Sequence, residues 1–333
     1  MSAPRLELAL AGGGLSLPED GPIAVFGARA GMDLTALPQD RLVVLTGFRP
    51  DHDAFTAAGY TTALAPEGRF AAALVFLPRA KAQARAMIAE AVALTDGPVI
   101  VDGARTDGIE SMIKALRARV ALNGPVNKAH GKLVWFEGGD FDDWAVSGPT
   151  PLPDGWITAP GVFSADGIDP ASALLAAALP DKIGGRVADL GAGWGYLAAR
   201  ILDRPGVRQL DLVEAEHVAL DCARANISDP RAAFHWADAT LWRPATALDA
   251  VVMNPPFHQN RSAEPGIGQA FIRAAAAMLR PGGRVWIVAN RHLPYEAALS
   301  AAFGNAEEVG GDNRFKILSA TLQSRQARRD RVT

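Results

Sequence analysis

A short segment rich in proline and glycine, residues 147–155, constrains the fold of this chain more than any other feature. Its sequence, SGPTPLPDG, holds three prolines and two glycines within nine residues. Proline fixes φ and lacks a backbone N–H, so this segment cannot continue a helix or a central strand. A chain of 333 residues corresponds to about two domains at roughly 100 to 200 residues each. We therefore predict one domain over residues 1–150 and a second over residues 151–333.

Both predicted domains alternate short apolar or β-branched runs with longer stretches rich in Ala and Leu. This alternation is typical of a sheet with crossover helices, so both are predicted to be α/β. Candidate strands in the first domain are Ile23–Phe26, Leu42–Leu45, Ala73–Leu77, Val99–Val101 and Lys132–Phe136. Those in the second are Arg186–Asp189, Gln209–Glu214, Ala233–Trp236, Ala250–Met253, Arg284–Ala289 and Arg314–Leu322. The two domains alternate strands and helices in a similar way, which indicates either a diverged duplication or two unrelated sheets of one class.

The charge balance excludes a chain that is basic overall. Lys and Arg total 33 against 36 for Asp and Glu, a net charge of −3. Neutralisation of phosphates dominates non-specific affinity for nucleic acids, so RNA binding would require a local basic patch. Residues 323–333 carry four arginines and form either an RNA-binding tail or a solvated terminus.

Cysteine usage and hydropathy predict the compartment. Cys222 is the single cysteine, which excludes an intrachain disulfide and a cysteine-based zinc site, and we predict no metal ligands. The first residues lack a basic stretch followed by a sustained apolar core, and no apolar run approaches the length of a membrane span. We expect a cytoplasmic protein without membrane contact.

The segment Asp189–Gly195, with the sequence DLGAGWG, lies between a candidate strand and the candidate helix Tyr196–Leu202. Alternating glycines permit a sharp turn and place no side chain between the backbone and a nucleoside ligand, although a turn without a ligand is the alternative. Glu214 ends the next strand, where its carboxylate can accept both ribose hydroxyls. In dinucleotide-binding loops the third glycine follows the second by three residues, whereas Gly195 follows Gly193 by two. The spacing therefore favours S-adenosylmethionine.

Asp238 follows the third candidate strand. Its carboxylate can accept the exocyclic amine of an adenine, or it can be a solvated loop residue.

The segment Asn254–Phe257, with the sequence NPPF, comes directly after an apolar strand. The amino group of a planar ring is a poor nucleophile because its lone pair is delocalised. The side-chain oxygen of Asn254 and the carbonyl of Pro255 can each accept one N–H and direct that lone pair at a methyl group. Phe257 supplies a stacking face for the ring. A Pro-Pro turn that ends a strand is the alternative.

These motifs resemble those of class I S-adenosylmethionine-dependent methyltransferases that modify planar amino nitrogens. Four segments, Gly161–Asp169, Asn254–His258, Val288–Tyr295 and Asn313–Lys316, further resemble the bacterial rRNA guanine-N2 methyltransferases, which include a small-subunit (16S) enzyme and a large-subunit (23S) sibling. The resemblance covers essentially the whole chain. Within these segments, Asn290, Arg291 and Arg314 are candidate RNA contacts or solvated surface residues, and His258 is either a packing residue or a substrate contact. The resemblance implies two Rossmann-like methyltransferase domains in tandem, of which the amino-terminal one is degenerate and the carboxy-terminal one catalytic.

The resemblance implies a site and a reaction. The cofactor S-adenosylmethionine would contact Phe163, Asp189, Gly191, Gly193, Glu214, Asp238 and Asn254, and catalysis would depend on Asn254, Pro255 and Phe257. The substrate would be a guanine N2 in ribosomal RNA, most readily 16S rRNA, presented as naked RNA or as a ribosomal subunit, and the enzyme would be a monomer. Methylation of 23S rRNA, of adenine N6 or of a glutamine amide stays open, as does a cofactor-free role in RNA binding or ribosome assembly.

The amino-terminal domain departs from the cofactor-binding pattern. The segment Phe26–Gly31 lacks the acidic residue and the alternating glycines, and Leu77 stands where Asn254 stands in the other domain. A leucine cannot accept an amine proton, so this domain is predicted to support folding or RNA docking instead of catalysis.

Overall fold

The computed structural model describes residues 4–146, 148–256 and 265–324. The chain divides into two compact units, Met1–Gly148 and Pro149–Thr333. We call them the amino-terminal unit and the carboxy-terminal unit and describe each by itself.

The amino-terminal unit is a seven-stranded sheet with helices between its strands. Its elements are α1 (Pro4–Leu10), β1 (Ile23–Phe26), β2 (Leu42–Leu45), α2 (Arg49–Ala57), β3 (Thr61–Ala63), β4 (Ala72–Phe76), α3 (Lys81–Leu94), β5 (Pro98–Ala104), α4 (Ile109–Arg117), β6 (Asn123–Lys128) and β7 (Gly131–Glu137). The strand order is β3-β2-β1-β4-β5-β7-β6. Strand β7 runs antiparallel to both of its neighbours.

The carboxy-terminal unit begins with a two-stranded hairpin and continues as a second seven-stranded sheet. Its elements are β8 (Thr150–Pro151), β9 (Ile157–Thr158), α5 (Pro170–Ala178), β10 (Arg186–Leu190), α6 (Tyr196–Leu202), β11 (Gln209–Glu214), α7 (His217–Asn226), β12 (Ala232–Trp236), β13 (Leu248–Met253), α8 (Pro265–Met278), β14 (Leu279–Asn290), α9 (Tyr295–Phe303), β15 (Glu307–Gly311) and β16 (Phe315–Thr321). The order β12-β11-β10-β13-β14-β16-β15 repeats that of the first sheet. The prediction of two Rossmann-like α/β sheets in tandem is confirmed, and a duplication predicts such a repeated order.

The central strands are apolar because the sheet is covered on both faces. Strand β10 is buried at every residue after Arg186, and β13 is buried at every residue except Asp249. Side chains that point to one face of the sheet pack against α5 and α6, and those on the other pack against α8 and α9.

Some elements differ from the sequence-based expectation. Strands β3, β6 and β15 were not predicted, because each is a short edge strand that carries exposed residues and no apolar run. Strand β14 begins at Leu279 instead of Arg284 because Leu279 already pairs with Leu248 of β13.

The topology of the carboxy-terminal unit creates a crevice at one sheet edge. Strands β10 to β14 are parallel, and β10 lies between β11 and β13. The chain therefore leaves β10 toward one side and later returns to its other side. Ligands of open α/β sheets bind at such a reversal point, beyond the carboxyl ends of the strands.

No helix in the described parts of the chain is both long enough and apolar enough to span a membrane.

Candidate active site

The glycine loop after β10 turns sharply and leaves room above it. Gly191, Gly193 and Gly195 have φ angles of 76°, 55° and 94°, which L side chains rarely adopt. A Cβ at Gly195 would lie 2.9 Å from Cδ1 of Ile227, so this glycine allows the loop to pack against the end of α7. A Cβ at Gly193 would meet nothing within 4 Å. The backbone at Gly193 therefore faces open space that a ligand can fill.

Glu214, at the end of β11, holds the glycine loop. One carboxylate oxygen accepts the Gly193 N–H at 2.8 Å, and the other accepts the Glu216 N–H at 2.8 Å. Burial raises the pKa of this carboxyl, and the hydrogen bonds from these two amides oppose the rise. A carboxylate has about four acceptor positions, so the half-buried Glu214 keeps acceptor capacity for two ribose hydroxyls. Its role in shaping the loop was not predicted from the sequence.

Asp189 is a buried carboxyl group without a hydrogen bond of normal geometry. The residue is 0% exposed, and neither oxygen has such a bond within the described ranges, although the Ala198 N–H lies near enough to lower its pKa slightly. Burial, followed by the negative charge of Glu214, raises its pKa to about 8. Buried polar groups normally have a partner, and a carboxyl group that lacks one in a buried place beneath the glycine loop favours its neutral form.

Asn254 follows β13 with a fixed amide orientation. Its Nδ2 donates to Asp169 Oδ2 at 3.0 Å and to Ser172 Oγ at 2.8 Å. A carboxylate can only accept hydrogen bonds, so the amide NH₂ must face Asp169. The amide oxygen Oδ1 is buried and has no partner among residues 4–146, 148–256 and 265–324. The site therefore presents one free acceptor, as a base amine requires.

A segment that we call the strap, residues 157–169, is fixed to the glycine loop. The Asn226 side chain accepts the Ile157 N–H and donates to the carbonyls of Ile157 and Trp194, each at 2.8 Å. The Trp194 Nε1 donates to the Phe163 carbonyl at 3.1 Å. The Phe163 side chain is 61% exposed, so an apolar ring stands at the mouth of the site.

These elements line one cleft that opens to solvent. The residues that line it include four of the predicted site residues, namely Phe163, Gly191, Gly193 and Asn254. Glu214 reaches the cleft wall through its bond to Gly193. Asp189 and Pro255 are buried and do not line the cleft.

Asp238 lies outside the cleft lining, one strand beyond Glu214. Its Oδ1 accepts the N–H of Thr240 at 2.8 Å and the Thr240 hydroxyl at 2.7 Å. These bonds shape the loop that follows β12, and adenine binding by Asp238 stays a prediction.

Three predictions fall on residues that the structure does not describe. Phe257 and His258 lie within residues 257–264, and the arginines of the carboxy-terminal tail lie within residues 325–333. Their stacking or RNA contacts stay predictions.

Sequence reasoning missed three residues of the site. Ser172 binds the Asn254 amide, Trp194 ties the glycine loop to the strap, and Asn226 ties α7 to both. Ser172 follows the helix start Asp169-Pro170, so the sequence alone places it near the strap. Its contact with Asn254, which is 82 positions away, cannot be predicted from the sequence.

The candidate RNA-contacting arginines already have intramolecular partners. Arg291 pairs with Glu308 at 2.9 Å and donates to the Asp312 carbonyl. The Arg314 guanidinium lies 4.9 Å from the ring centroid of Phe315. RNA contact by these two residues and by Asn290 stays a prediction.

The corresponding loop of the amino-terminal unit has different surroundings. A Cβ at Gly27, the residue after β1, would lie 2.3 Å from the Phe76 carbonyl oxygen. Asp51 accepts the Ala30 N–H at 2.8 Å and pairs with Arg29 at 3.1 Å. Phe26 pairs with Val75 as Leu190 pairs with Met253, so the sheet places Phe76, and not the buried Leu77, at the position of Asn254. Neither side chain can accept an amine proton.

Within the described ranges, no group of three His, Cys, Asp or Glu side chains is arranged to hold a metal ion.

Comparison with known proteins identifies relatives that cover about three quarters of the chain. The family model of the methyltransferase small domain matches residues 155–319. Ribosomal RNA small subunit methyltransferase C of Klebsiella pneumoniae is 31% identical over 77% of this chain and 77% of its own length. The protein of the same name from Shewanella amazonensis is 30% identical over 75% of this chain and 76% of its own length.

A solved structure extends the similarity to both units. The 16S rRNA N2 methyltransferase RsmC of T. thermophilus, which acts on guanine 1207 and was solved with AdoMet and guanosine, has a TM-score of 0.81 and 26% identity. The match covers 96% of this chain and 92% of that chain.

Proposed function

The chain belongs to the ribosomal RNA small subunit methyltransferase C family, and on that basis we propose that it methylates the exocyclic N2 of a guanine in 16S rRNA. Its relatives by sequence carry the small-subunit name, and its structural relative acts on a guanine N2. The enzyme uses S-adenosylmethionine and acts on ribosomal RNA. The relatives favour this reaction over 23S rRNA, adenine N6 or a glutamine amide as the target.

One observation carries the assignment of the catalytic centre to Asn254. Its amide oxygen is buried, free of protein donors in the described ranges, and fixed by two hydrogen bonds on the opposite side of the amide. The oxygen can accept one N–H of the guanine amine, and the carbonyl of the buried Pro255 is the proposed acceptor of the other. Such positioning reduces delocalisation of the nitrogen lone pair and directs it into the cleft.

The cofactor site is proposed at the glycine loop. Bound there, S-adenosylmethionine supplies an electrophilic methyl group on its sulfonium. The open space at Gly193 and the remaining acceptor capacity of Glu214 fit a polar nucleoside ligand. Contact with Asp189 and Gly191 is proposed from the resemblance. Phe163 and Asp238 are further proposed contacts of the cofactor. Phe257 is the proposed stacking partner of the guanine, which must leave its RNA stack to enter the site.

The finer assignments are proposals as well. We propose that the amino-terminal unit is non-catalytic and serves folding or RNA docking, because Arg29 stands in its loop where Gly193 stands in the other unit, and Phe76 stands at the position of Asn254. We also propose that the enzyme acts as a cytoplasmic monomer on rRNA or on the small subunit, with the arginine-rich residues 323–333 as an RNA-binding tail.

The test removes the acceptor at residue 254. We expect Asn254→Ala to lower kcat by about 100-fold or more because the amine loses its alignment, while calorimetry shows nearly unchanged binding of S-adenosylmethionine. The assay measures N2-methylguanosine by mass spectrometry in 16S rRNA from a strain that lacks the gene.

Asn305→Ala is the control, because it makes the same chemical change at an exposed position. Near-normal methylation by Asn254→Ala would contradict the proposed role of Asn254. Absence of N2-methylguanosine from 16S rRNA treated with the intact enzyme would contradict the proposed function itself.

A further inference from the structure

Two residues outside the NPPF motif determine which way the Asn254 amide points. Asp169 ends the strap and caps α5, and its Oδ2 accepts both the Ser172 N–H at 2.7 Å and the Asn254 Nδ2 at 3.0 Å. Ser172 lies in the first turn of α5, and its hydroxyl oxygen accepts from the same Nδ2 at 2.8 Å. Both NH₂ hydrogens of Asn254 are therefore occupied on one side.

The polarity of this arrangement matters because an amide group is almost symmetric in shape. A half-turn about its last side-chain bond exchanges the acceptor oxygen and the donor NH₂ with little change in volume. The Ser172 hydroxyl could donate to a flipped amide, but the Asp169 carboxylate only accepts. A flipped amide would set its oxygen against that carboxylate in a half-buried site, where an unmatched polar contact is costly.

We propose that Asp169 and Ser172 are positioning residues that lock the Asn254 oxygen toward the base, so that the site selects a base edge that donates hydrogen bonds. The inference rests on the proposed function and adds a source of specificity to it. Guanine presents an amine, which donates, and a carbonyl, which accepts. A locked acceptor at residue 254 favours the amine, whereas an unlocked amide could present its NH₂ to the carbonyl.

Asp169 also has a structural role that the test must separate from positioning. It is the N-cap of α5, and Ser, Asn and Asp are all effective N-caps. In Asp169→Asn, a carbonyl oxygen can occupy the place of Oδ2 and keep both hydrogen bonds. In Asp169→Ser, the shorter side chain still caps the helix and no longer reaches Asn254. Ser172→Ala removes the second acceptor and favours the helix, because Ala is the strongest helix former.

The experiment compares these three variants with the intact enzyme. We expect kcat to fall about tenfold in Ser172→Ala and roughly 10- to 100-fold in Asp169→Ser, as for loss of a neutral and a charge-assisted hydrogen bond. Asp169→Asn should retain kcat within a few-fold. The Kd for S-adenosylmethionine and the melting temperature should change little in all three variants, with Ser300→Ala on the exposed face of α9 as the control.

A second measurement tests the orientation of the Asn254 amide. Guanosine is compared with inosine, which lacks the 2-amino group, as a competitor of RNA for the site. The intact enzyme should prefer guanosine, and the double variant Asp169→Ser/Ser172→Ala should lose this preference by about tenfold, the value of one hydrogen bond.

Each outcome decides the proposal. Normal kcat in both Ser172→Ala and Asp169→Ser would overturn it, and so would an Asp169→Asn variant as slow as Asp169→Ser, because the carboxylate charge and not the acceptor would then matter. An unchanged guanosine preference in the double variant would also overturn it. An intact enzyme that leaves guanine N2 unmethylated would instead refute the proposed function.

Discussion

At the scale of single residues, two neighbouring carboxyl groups of the site differ in their hydrogen bonds. Both oxygens of Glu214 accept backbone amides, whereas those of Asp189 lack a hydrogen bond of normal geometry within the described ranges. The pKa of about 8 at Asp189 means that this carboxyl is largely uncharged at neutral pH. A buried acid of this kind makes folding depend on pH.

We expect Asp189→Asn to change that dependence. In the unfolded chain the carboxyl loses its proton near pH 3.8, but in the folded chain only near pH 8. The folded state thus binds more protons between these values, so stability falls as pH rises through this window, by about 1.4 kcal/mol per pH unit at most. The Asn side chain stays neutral in both states, which removes the slope and raises stability at pH 8.

Urea unfolding from pH 5 to pH 9 measures the effect. The exposed Asp154→Asn serves as the control for the same change and should follow the intact protein. If the profiles of Asp189→Asn and the intact protein ran parallel, the buried carboxyl would not be the source of the pH dependence.

At the scale of elements, the cleft depends on a joint between α7, the strap and the glycine loop. Asn226, the last residue of α7, makes three hydrogen bonds to the backbones of Ile157 and Trp194. The strap also packs against α7 through Ala159 and Val162, which share an apolar cluster with Ala219 and Cys222. The polar part of the joint, which holds the strap beside the glycine loop, consists of the Asn226 side chain and the Trp194 indole.

We expect Asn226→Ala to loosen this joint. Loss of three hydrogen bonds should lower the free energy of unfolding by about 3 kcal/mol, because each intramolecular bond contributes roughly 1 kcal/mol, and should weaken S-adenosylmethionine binding about tenfold. Chemical denaturation and calorimetry measure the two effects. Unchanged cofactor affinity in a destabilised Asn226→Ala variant would show that the strap does not contribute to the cofactor site.

The elements also show which parts of the fold can be predicted from sequence. Strands β10, β11 and β13 were predictable because buried parallel strands are continuous apolar runs. The motif residues lie at or directly after the ends of these strands in the sequence, so Gly193, Glu214 and Asn254 were assigned to one sheet edge. Edge strand β15, with the sequence EEVGG, pairs only through its tertiary context and has no such signal.

The hydrogen bonds of the site were less predictable than its location. The bond between Asn254 and Asp169 joins residues 85 positions apart, and nothing local in either segment requires it. The roles of Ser172, Trp194 and Asn226 likewise arise from packing between elements and not from the pattern of any one segment.

At the scale of the whole molecule, two sheets with the same strand order differ in what stands at the first loop. Gly193 faces open space and bonds to Glu214, whereas its counterpart in the other loop is Arg29, which pairs with Asp51. The fold alone therefore does not make a cofactor site. The side chains around the loop decide whether the sheet can hold the cofactor.

We expect one S-adenosylmethionine per chain. Glu214→Gln should weaken binding about tenfold, because an amide offers one acceptor oxygen where the carboxylate has two. The matched change Asp51→Asn in the amino-terminal unit should alter neither affinity nor stoichiometry. Calorimetry of the full chain measures both, and two cofactors per chain, or weaker binding in Asp51→Asn, would contradict the assignment.

The shared oxygen of Asp169 has a consequence for anyone who engineers this enzyme for heat resistance. Libraries that exchange helix caps treat Asp and Ser as interchangeable, and a thermal screen would accept either residue at position 169. The selected clones would survive heating and yet turn over slowly, so position 169 should be held constant in such libraries.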